Sequence, residues 1–195
     1  MCLTVGSEAV VLETTEYEGW TAFIEIFARI LDSIEGTHPP AGILRVGLRY
    51  IDEIRLPNPP RSISDWHGWV DDRLLAPFSL DSGRDLANGT IALQFGTAPG
   101  HVIIFRAAPF SSGRAVQEEG ALRMPISTTA GPYFLLDTDA SWVDPERTVP
   151  EFTSSAIQET LAGLHTPCKQ LYESAITDQL RDDILNRSRE EVWGR

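Results

Sequence analysis

The segment from residue 43 to residue 54, ILRVGLRYIDEI, constrains the fold more than any other part of this chain because its side chains alternate in polarity. In a strand, successive side chains point to opposite sides of the sheet. One face therefore collects four apolar side chains, which are Leu44, Val46, Leu48 and Tyr50. Arg45 and Arg49 fall on the other face, where they must meet water, carboxylates or an anionic ligand. We predict a strand in the centre of its sheet, with one buried face and one charged face.

The size and charge of the chain limit what it can bind. Its 195 residues, 42% of them hydrophobic, are enough for one sizeable core, so we predict a single domain over residues 1–195. Sixteen basic and twenty-eight acidic residues give a net charge of −12, which disfavours nucleic acid and anionic membranes as partners. No apolar run reaches the ~18 residues of a membrane span. Cys2 and Cys168 lack metal-ligand spacing, and no signal peptide is evident, so we expect a cytoplasmic protein.

The remaining patterns predict an α+β fold, in which an antiparallel sheet has its helices packed mainly on one face. Thr15 and Glu18 have the spacing of a capping box for the first helix, and Gly36 gives a stop. In chain order we predict a hairpin (3–14), a helix with a stripe of apolar residues (17–34), the strand 43–54, a helix (65–75), a hairpin (90–97 and 101–107), a strand (133–138) and a long C-terminal helix (151–186) that Pro167 interrupts.

Two stretches are predicted to lack regular structure. Residues 109–132 are rich in Ser, Gly, Thr and charge, and they exceed the usual length of a connection. We expect a flexible loop there, disordered or acting as a flap. Residues 187–195 form a polar tail.

Four segments spread over nearly the whole chain form a recognisable series: LETTEYEGWTAF from residue 12, RVGLRYIDEI from residue 45, LLDTDA from residue 135 and LHTPCKQLYESAITDQL from residue 164. In this order they resemble a sporadically distributed family of prokaryotic proteins with no settled activity. The resemblance supports the fold and the positions of the motifs. It departs at Asp52, where the family usually has Asn. Longer members carry an additional N-terminal strand and helix, which we expect to be missing here or supplied by another chain.

Charged residues on two predicted strands form the candidate site. Asp137 and Asp139 share one strand face ~7 Å apart, and Arg45 and Arg49 lie ~13 Å apart on another. Because charges on a half-covered sheet usually pair, our first interpretation is a ladder of ion pairs between strands. The alternative is a ligand-binding groove lined by these four side chains and Asp52. Two carboxylates without a third ligand make a poor cation site, so we predict no metal.

Other arrangements give no support for catalysis. The Gly-x-Ser-x-Gly elbow of hydrolases and the phosphate-binding glycine loop are both missing, so we predict no cofactor. His165 and Cys168 are three residues apart, but a small thiol in the core is the better interpretation of Cys168. Tyr17 and Trp20 have the helical spacing of core residues.

We therefore expect a non-enzymatic recognition or assembly module that binds a protein partner or a second copy of itself. A sheet edge, with the strand around Val10 as first choice, or the C-terminal helix would form the contact. The alternative is an enzyme or a small-ligand-binding protein that uses the Arg/Asp face. An unpaired Arg49 beside an open pocket would favour this alternative, and a closed ladder would count against it.

Overall fold

A computed structural model describes residues 1–80, 89–113, 115 and 131–185. Within these ranges the predicted α+β fold is confirmed. The strands are β1 (Cys2–Val5), β2 (Val10–Glu13), β3 (Val46–Ile54), β4 (Ile91–Ala98), β5 (His101–Phe110) and β6 (Tyr133–Trp142). The α-helices are α1 (Trp20–Thr37), α2 (Asp72–Leu75), α3 (Ser154–Ala175) and α4 (Asp178–Leu180). Single turns of 3-10 helix, Ile63–Trp66 and Ala76–Ser79, flank α2, and one π-helical turn, Arg181–Leu185, follows α4.

Four strands form one antiparallel sheet in the order β3-β6-β5-β4. The prediction that β3 is central was wrong, because β3 lies at one edge of the described sheet and β6 and β5 occupy the centre. The register places Arg49 opposite Asp139, and it places Arg106 of β5 opposite Asp137. The predicted hairpin of β4 and β5 is confirmed, and its turn contains Gly100 with a φ of 76°.

The helices pack on one face of this sheet, which we call the helix face, and bury its alternate side chains. Val46 and Leu48 of β3 lie in a cluster with Leu31 of α1 and Leu161 and Leu164 of α3. A second cluster lies at the other end of the strands and contains Ile54, Trp66, Phe105, Phe134 and Leu136. The predicted burial of alternate β3 residues is thus confirmed for Val46 and Leu48. It was wrong for Leu44, which is 72% exposed because it precedes the first paired residue of the strand.

The first helix begins later than its predicted capping box. Its N-cap is Gly19, whose φ of 125° suits a residue without a side chain, and Trp20 is the first helical residue. Thr15 and Glu18 precede the helix, so the predicted cap was wrong. The helix ends at Thr37, one residue after the predicted stop at Gly36.

A helix over residues 65–75 was also predicted wrongly. Gly68 has a φ of 83°, outside the helical range, and it separates the 3-10 turn Ile63–Trp66 from α2. Instead of continuing a helix, Val70 forms an isolated bridge with Ile176, and the N–H of Asp71 donates to the carbonyl of Ala175. The apolar residues that suggested a helical stripe still reach the core, since Trp66 and Val70 are buried.

The C-terminal helix is not interrupted where we predicted. α3 runs through Pro167 without a break, although proline has no N–H to donate to Gly163 four residues earlier. The break comes at Ile176, which has extended backbone angles and bridges to Val70. Thr153 caps the start of α3 by accepting a hydrogen bond from the N–H of Ala156. The predicted end of the helix at residue 186 and the polar tail lie outside the described residues.

The predicted N-terminal hairpin is confirmed, with Leu3 opposite Leu12 and a turn closed by the N–H of Gly6 and the carbonyl of Ala9. It forms a two-stranded sheet of its own, so the strand around Val10 is not an edge of the main sheet as predicted. Most of the predicted loop 109–132 lies outside the described residues, and its first two residues belong to β5. No helix in the described part of the chain is long and apolar enough to cross a membrane.

Candidate functional site

The face of the main sheet turned away from the helices, which we call the open face, carries a ladder of ion pairs. Asp137 is its centre. The Nε of Arg49 lies 2.8 Å from Oδ1 of Asp137, and Nη2 lies 2.9 Å from Oδ2. Arg106, on the other neighbouring strand, donates from Nη1 to Oδ2 over 3.1 Å. The outer pair joins Nη2 of Arg45 to Oδ1 of Asp139 at 3.5 Å. The predicted pairing of these arginines and aspartates is therefore confirmed.

The ladder is closed around a buried carboxylate. Asp137 is only 4% exposed, yet both its oxygens accept hydrogen bonds from guanidinium groups. The hydrogen bond from Arg49 to Asp137 raises the pKa of the arginine, so its guanidinium keeps its charge at any physiological pH. The Arg49 side chain is half-exposed, so water screens the outer side of the pair. Arg106 was missed in the sequence, although residues 101–107 were predicted as a strand.

Asp52, which we placed in the alternative ligand-binding groove with the four ladder residues, lies on the opposite side of the sheet. Its number has the same parity as Leu48 and Tyr50, so strand alternation turns it toward the helix face. Burial raises the pKa of Asp52 to about 6, and the charge of Asp137 adds to this effect. The alternation of side chains along β3 already places Asp52 on the face opposite Arg45 and Arg49. Our prediction that the three residues line one site was therefore wrong.

The carboxylates of the open face do not assemble a metal site. Among the residues that the structure describes, no three His, Cys, Asp or Glu side chains lie together in a way that could hold an ion. Asp137 already uses both oxygens to accept from arginines. What this arrangement does is join three strands, because Arg49 of β3 and Arg106 of β5 both pair with Asp137 of β6.

A cluster that the sequence did not reveal connects α1, β3 and α3. The Oη of Tyr50 lies 2.9 Å from Nδ1 of His165 and 3.4 Å from the Oη of Tyr17. Trp20 stacks on the imidazole with ring centroids 4.2 Å apart and an interplanar angle of 4°. Burial, followed by the nearby charge of Lys169, lowers the pKa of His165, which favours the neutral ring. His165 is 115 positions from Tyr50, and Tyr17 is 33 positions from Tyr50, so no local pattern could have joined them.

Burial leaves the phenol of Tyr50 in this Tyr-His cluster and the neighbouring thiol of Cys168 protonated at neutral pH. Burial raises the pKa of Tyr50 far above its ordinary value, so the phenol stays protonated. Burial also raises the pKa of Cys168 to about 11, so its thiol is not a nucleophile at neutral pH. Cys168 is almost fully buried, in agreement with the prediction of a core thiol. The cluster therefore acts as a hydrogen-bonded brace between helices and sheet.

Arg55 joins the two chain segments on either side of the long loop. Its guanidinium donates to the carbonyl oxygens of Gly113 and Gly131 and forms an ion pair with Glu53. The same guanidinium lies 4.9 Å from the centre of the Tyr133 ring. This arrangement fixes residues 113 and 131 at the same end of β3.

A groove of about 600 Å³ lies beside the prolines that follow β3. Its walls are formed by Leu56, Pro57, Asn58, Pro59, Pro60, Arg61, Asp65 and Trp69. The Asp65 carboxylate accepts from the N–H groups of Arg61 and Ser62, which lowers its pKa. Of the two charged residues that line the groove, Asp65 is thus already engaged by backbone N–H groups. The rest of the lining is mainly apolar, with Asn58 and Arg61 as its other polar side chains.

The outer edge of β4 differs from all these features because it is both exposed and uncharged. Seven of its eight residues are exposed, including Leu93 at 44% and Phe95 at 36%. The strand sequence IALQFGTA contains no ionisable side chain. β3, at the opposite edge, carries Arg49, Asp52 and Glu53. Proteins usually protect an edge strand with charges, a proline, a β-bulge or a covering segment. β4 contains neither charge nor proline, and its shift of register between Gly96 and Ala98 comes after Leu93 and Phe95, near the end of the strand.

Comparisons with known proteins do not identify a class for this protein, so its function has to be argued from the ladder, the Tyr-His cluster, the groove and the β4 edge. No family model, no curated protein and no solved structure matches the chain. The resemblance seen in the four sequence motifs therefore stays a prediction. What the structure defines is an α+β protein with a sheet covered by helices on one face and a closed ion-pair ladder on the other.

Proposed function

We propose that this protein is a non-enzymatic recognition or assembly module that takes up a strand from another polypeptide at the edge of β4. The observation that carries the proposal is an exposed strand of eight residues without a charge. The outward N–H and C=O groups of such a strand can pair with an added strand, and alternate side chains supply specificity.

The exposed apolar side chains of β4 lie where an added strand would cover them. Ile91, Leu93 and Phe95 pair with β5 residues on the helix face of the sheet, and Phe105, the partner of Leu93, is buried. An incoming strand would add a fifth strand to the sheet and would extend the apolar cluster that contains Phe105 beyond β4. Burying Leu93 and Phe95 would remove apolar surface from water, at ~25 cal/mol for each Å².

The alternative function, an enzyme or small-ligand-binding protein that uses the Arg/Asp face, has less support. Arg49 and Arg106 both pair with Asp137, and Arg45 lies against Asp139. A ligand would have to compete with carboxylates held in place by the sheet. The closed ladder is the outcome that we expected to count against this alternative.

Site-specific photocrosslinking in the native host tests the proposed function. A benzoylphenylalanine in place of Leu93 should form crosslinks to a second polypeptide, because this side chain would lie under the added strand. The same group in place of Val149, which is 45% exposed in a loop, is the matched control. Crosslinks at residue 93 that disappear when Phe95→Lys is added would support the proposal. A residue 93 that forms no more crosslinks than residue 149 would overturn it.

A further inference from the structure

We propose that the strand added to β4 is β4 of a second copy of this chain, paired antiparallel across a two-fold axis. This inference rests on the function proposed above and names the partner. The result would be a continuous sheet of eight main-sheet strands, four from each copy, as the described strand order implies.

Charge is the first argument for a second copy. A chain with a net charge of −12 repels its own copies over most of its surface. The hairpin of β4 and β5 is different, because residues 89–110 contain no Asp and no Glu. The one arginine in this stretch, Arg106, points to the open face and pairs with Asp137, toward β6 and away from β4. Two copies can therefore approach along β4 without bringing carboxylates of this hairpin together.

The symmetry of an antiparallel pair fixes the parity of the register. A two-fold axis between antiparallel neighbours is perpendicular to the sheet, so the helix faces of both copies lie on the same side. Directly opposite residues point to the same side of a sheet. Ile91, Leu93 and Phe95 lie on the helix face and precede the shift of register between Gly96 and Ala98. Within this stretch, odd-numbered residues must therefore oppose odd-numbered residues of the second copy.

Side-chain matching then selects one register near the middle of the strand. With Gln94 on the axis, Leu93 lies opposite Phe95 of the second copy, so the two large exposed apolar side chains cover each other. The two Gln94 side chains meet on the open face, where one amide can donate to the other. The neighbouring register with Phe95 on the axis would leave Leu93 opposite a threonine and Gln94 opposite a glycine. The register with Leu93 on the axis would also cover the apolar side chains, but it would leave Gln94 opposite Ala92, without an amide partner.

The axis makes a charge-exchange experiment decisive. Gln94 is exposed, so Gln94→Glu and Gln94→Lys should both fold, which circular dichroism of the full chain can check. Each variant places two like charges directly opposite each other, which should weaken dimerisation at least ~10-fold in sedimentation equilibrium. An equimolar mixture of the two variants should recover the dimer, because opposite charges then meet at the axis. Thr4→Glu, on the exposed strand β1, is the matched control and should leave the dimer unchanged.

A second measurement does not depend on any variant. Raising the concentration of the unchanged protein through the micromolar range should slow amide hydrogen exchange in β4 and leave exchange in β1 unaltered.

Three results would overturn the inference. One is a wild-type protein that remains monomeric, with no change of exchange in β4. Crosslinks from residue 93 to a different protein would then show that strand addition is right and the second copy is wrong. If Thr4→Glu dissociates the dimer and Gln94→Glu does not, the contact lies on the N-terminal hairpin. If both Gln94 variants weaken the dimer and their mixture does not restore it, the register with Gln94 on the axis is wrong. Recovery in the mixture, with Thr4→Glu inert, is the result we expect.

Discussion

Replacing Asp52 by Asn should stabilise the folded protein at neutral pH. Asp52 lies on the helix face of the sheet, where burial raises its pKa from 3.8 to about 6. Folding at pH 7 therefore moves a charged carboxylate into a poorly solvated position near a second carboxylate, Asp137. The difference between the two pKa values corresponds to ~3 kcal/mol, and this is the upper limit of the expected gain for an uncharged amide of similar shape.

The sign of the pH dependence distinguishes this cause from any other effect of the substitution. Below pH 3.8 the carboxyl group of Asp52 is protonated in both the folded and the unfolded chain, so its desolvation costs nothing. Between pH 3.8 and about 6 the unfolded chain releases the proton first, and the wild-type protein loses stability relative to Asp52→Asn as pH rises. Above about pH 6 the difference should be constant.

Urea unfolding of both proteins at pH 4 and at pH 7.5 measures the prediction. The gain in the free energy of unfolding should be below ~1 kcal/mol at pH 4 and should reach its full value at pH 7.5. Asp32→Asn, an exposed site on α1, is the matched control and should change stability by less than ~0.5 kcal/mol at either pH. An Asp52→Asn protein that is no more stable than wild type at pH 7.5, or equally stabilised at both pH values, would refute the reasoning.

Four further substitutions test the ladder, the core and the brace. Arg49→Met and Arg106→Met should each reduce the free energy of unfolding by at most ~1 kcal/mol. The double variant should lose ~3 kcal/mol or more, because Asp137 is then buried without a partner. Additive losses in urea unfolding would contradict this expectation. Leu48→Asp should abolish soluble folding, since Leu48 is 7% exposed within the core, and a well-folded variant in circular dichroism would disprove the assignment of faces. Tyr50→Phe removes the phenol–imidazole hydrogen bond and should cost ~1 kcal/mol in thermal or urea unfolding, whereas an unchanged protein would show that the brace carries no energy.

Local alternation predicted the parts of the fold that depend on neighbouring residues. It identified the buried Val46 and Leu48 and the charged Arg49 of β3, and turn chemistry identified the hairpin around Gly100. The pairing of Arg49 with Asp137 followed from parity on two separate strands. These successes share one cause, since a strand has only two faces and each side chain must lie on one of them.

The failures arose where long-range contacts outweigh local preference. Helical spacing of Trp66, Trp69 and Val70 predicted a helix, but Gly68 adopts a positive φ and the segment bonds to the end of α3 instead. The order of strands is likewise absent from local patterns. A partial signal did exist, because β3 carries charges of both signs, which are typical of an edge strand, whereas β6 begins with the apolar run YFLL.

The distribution of charge over the strands links the ladder to the proposed edge. The charged side chains of the open face lie on β3 and β6, and the one that β5 contributes, Arg106, turns toward β6. This arrangement leaves β4 next to a strand that presents Ile104 and Val102 to it on the open face. A lysine or glutamate in place of Gln94, opposite Ile104, would be solvated and would meet no member of the ladder, so the fold does not require an uncharged residue there. Neutral edge strands are a liability for an exposed sheet, and their occurrence is explained when another strand covers them. The lack of charge on β4 is therefore an argument for strand addition that is independent of the exposure of Leu93 and Phe95.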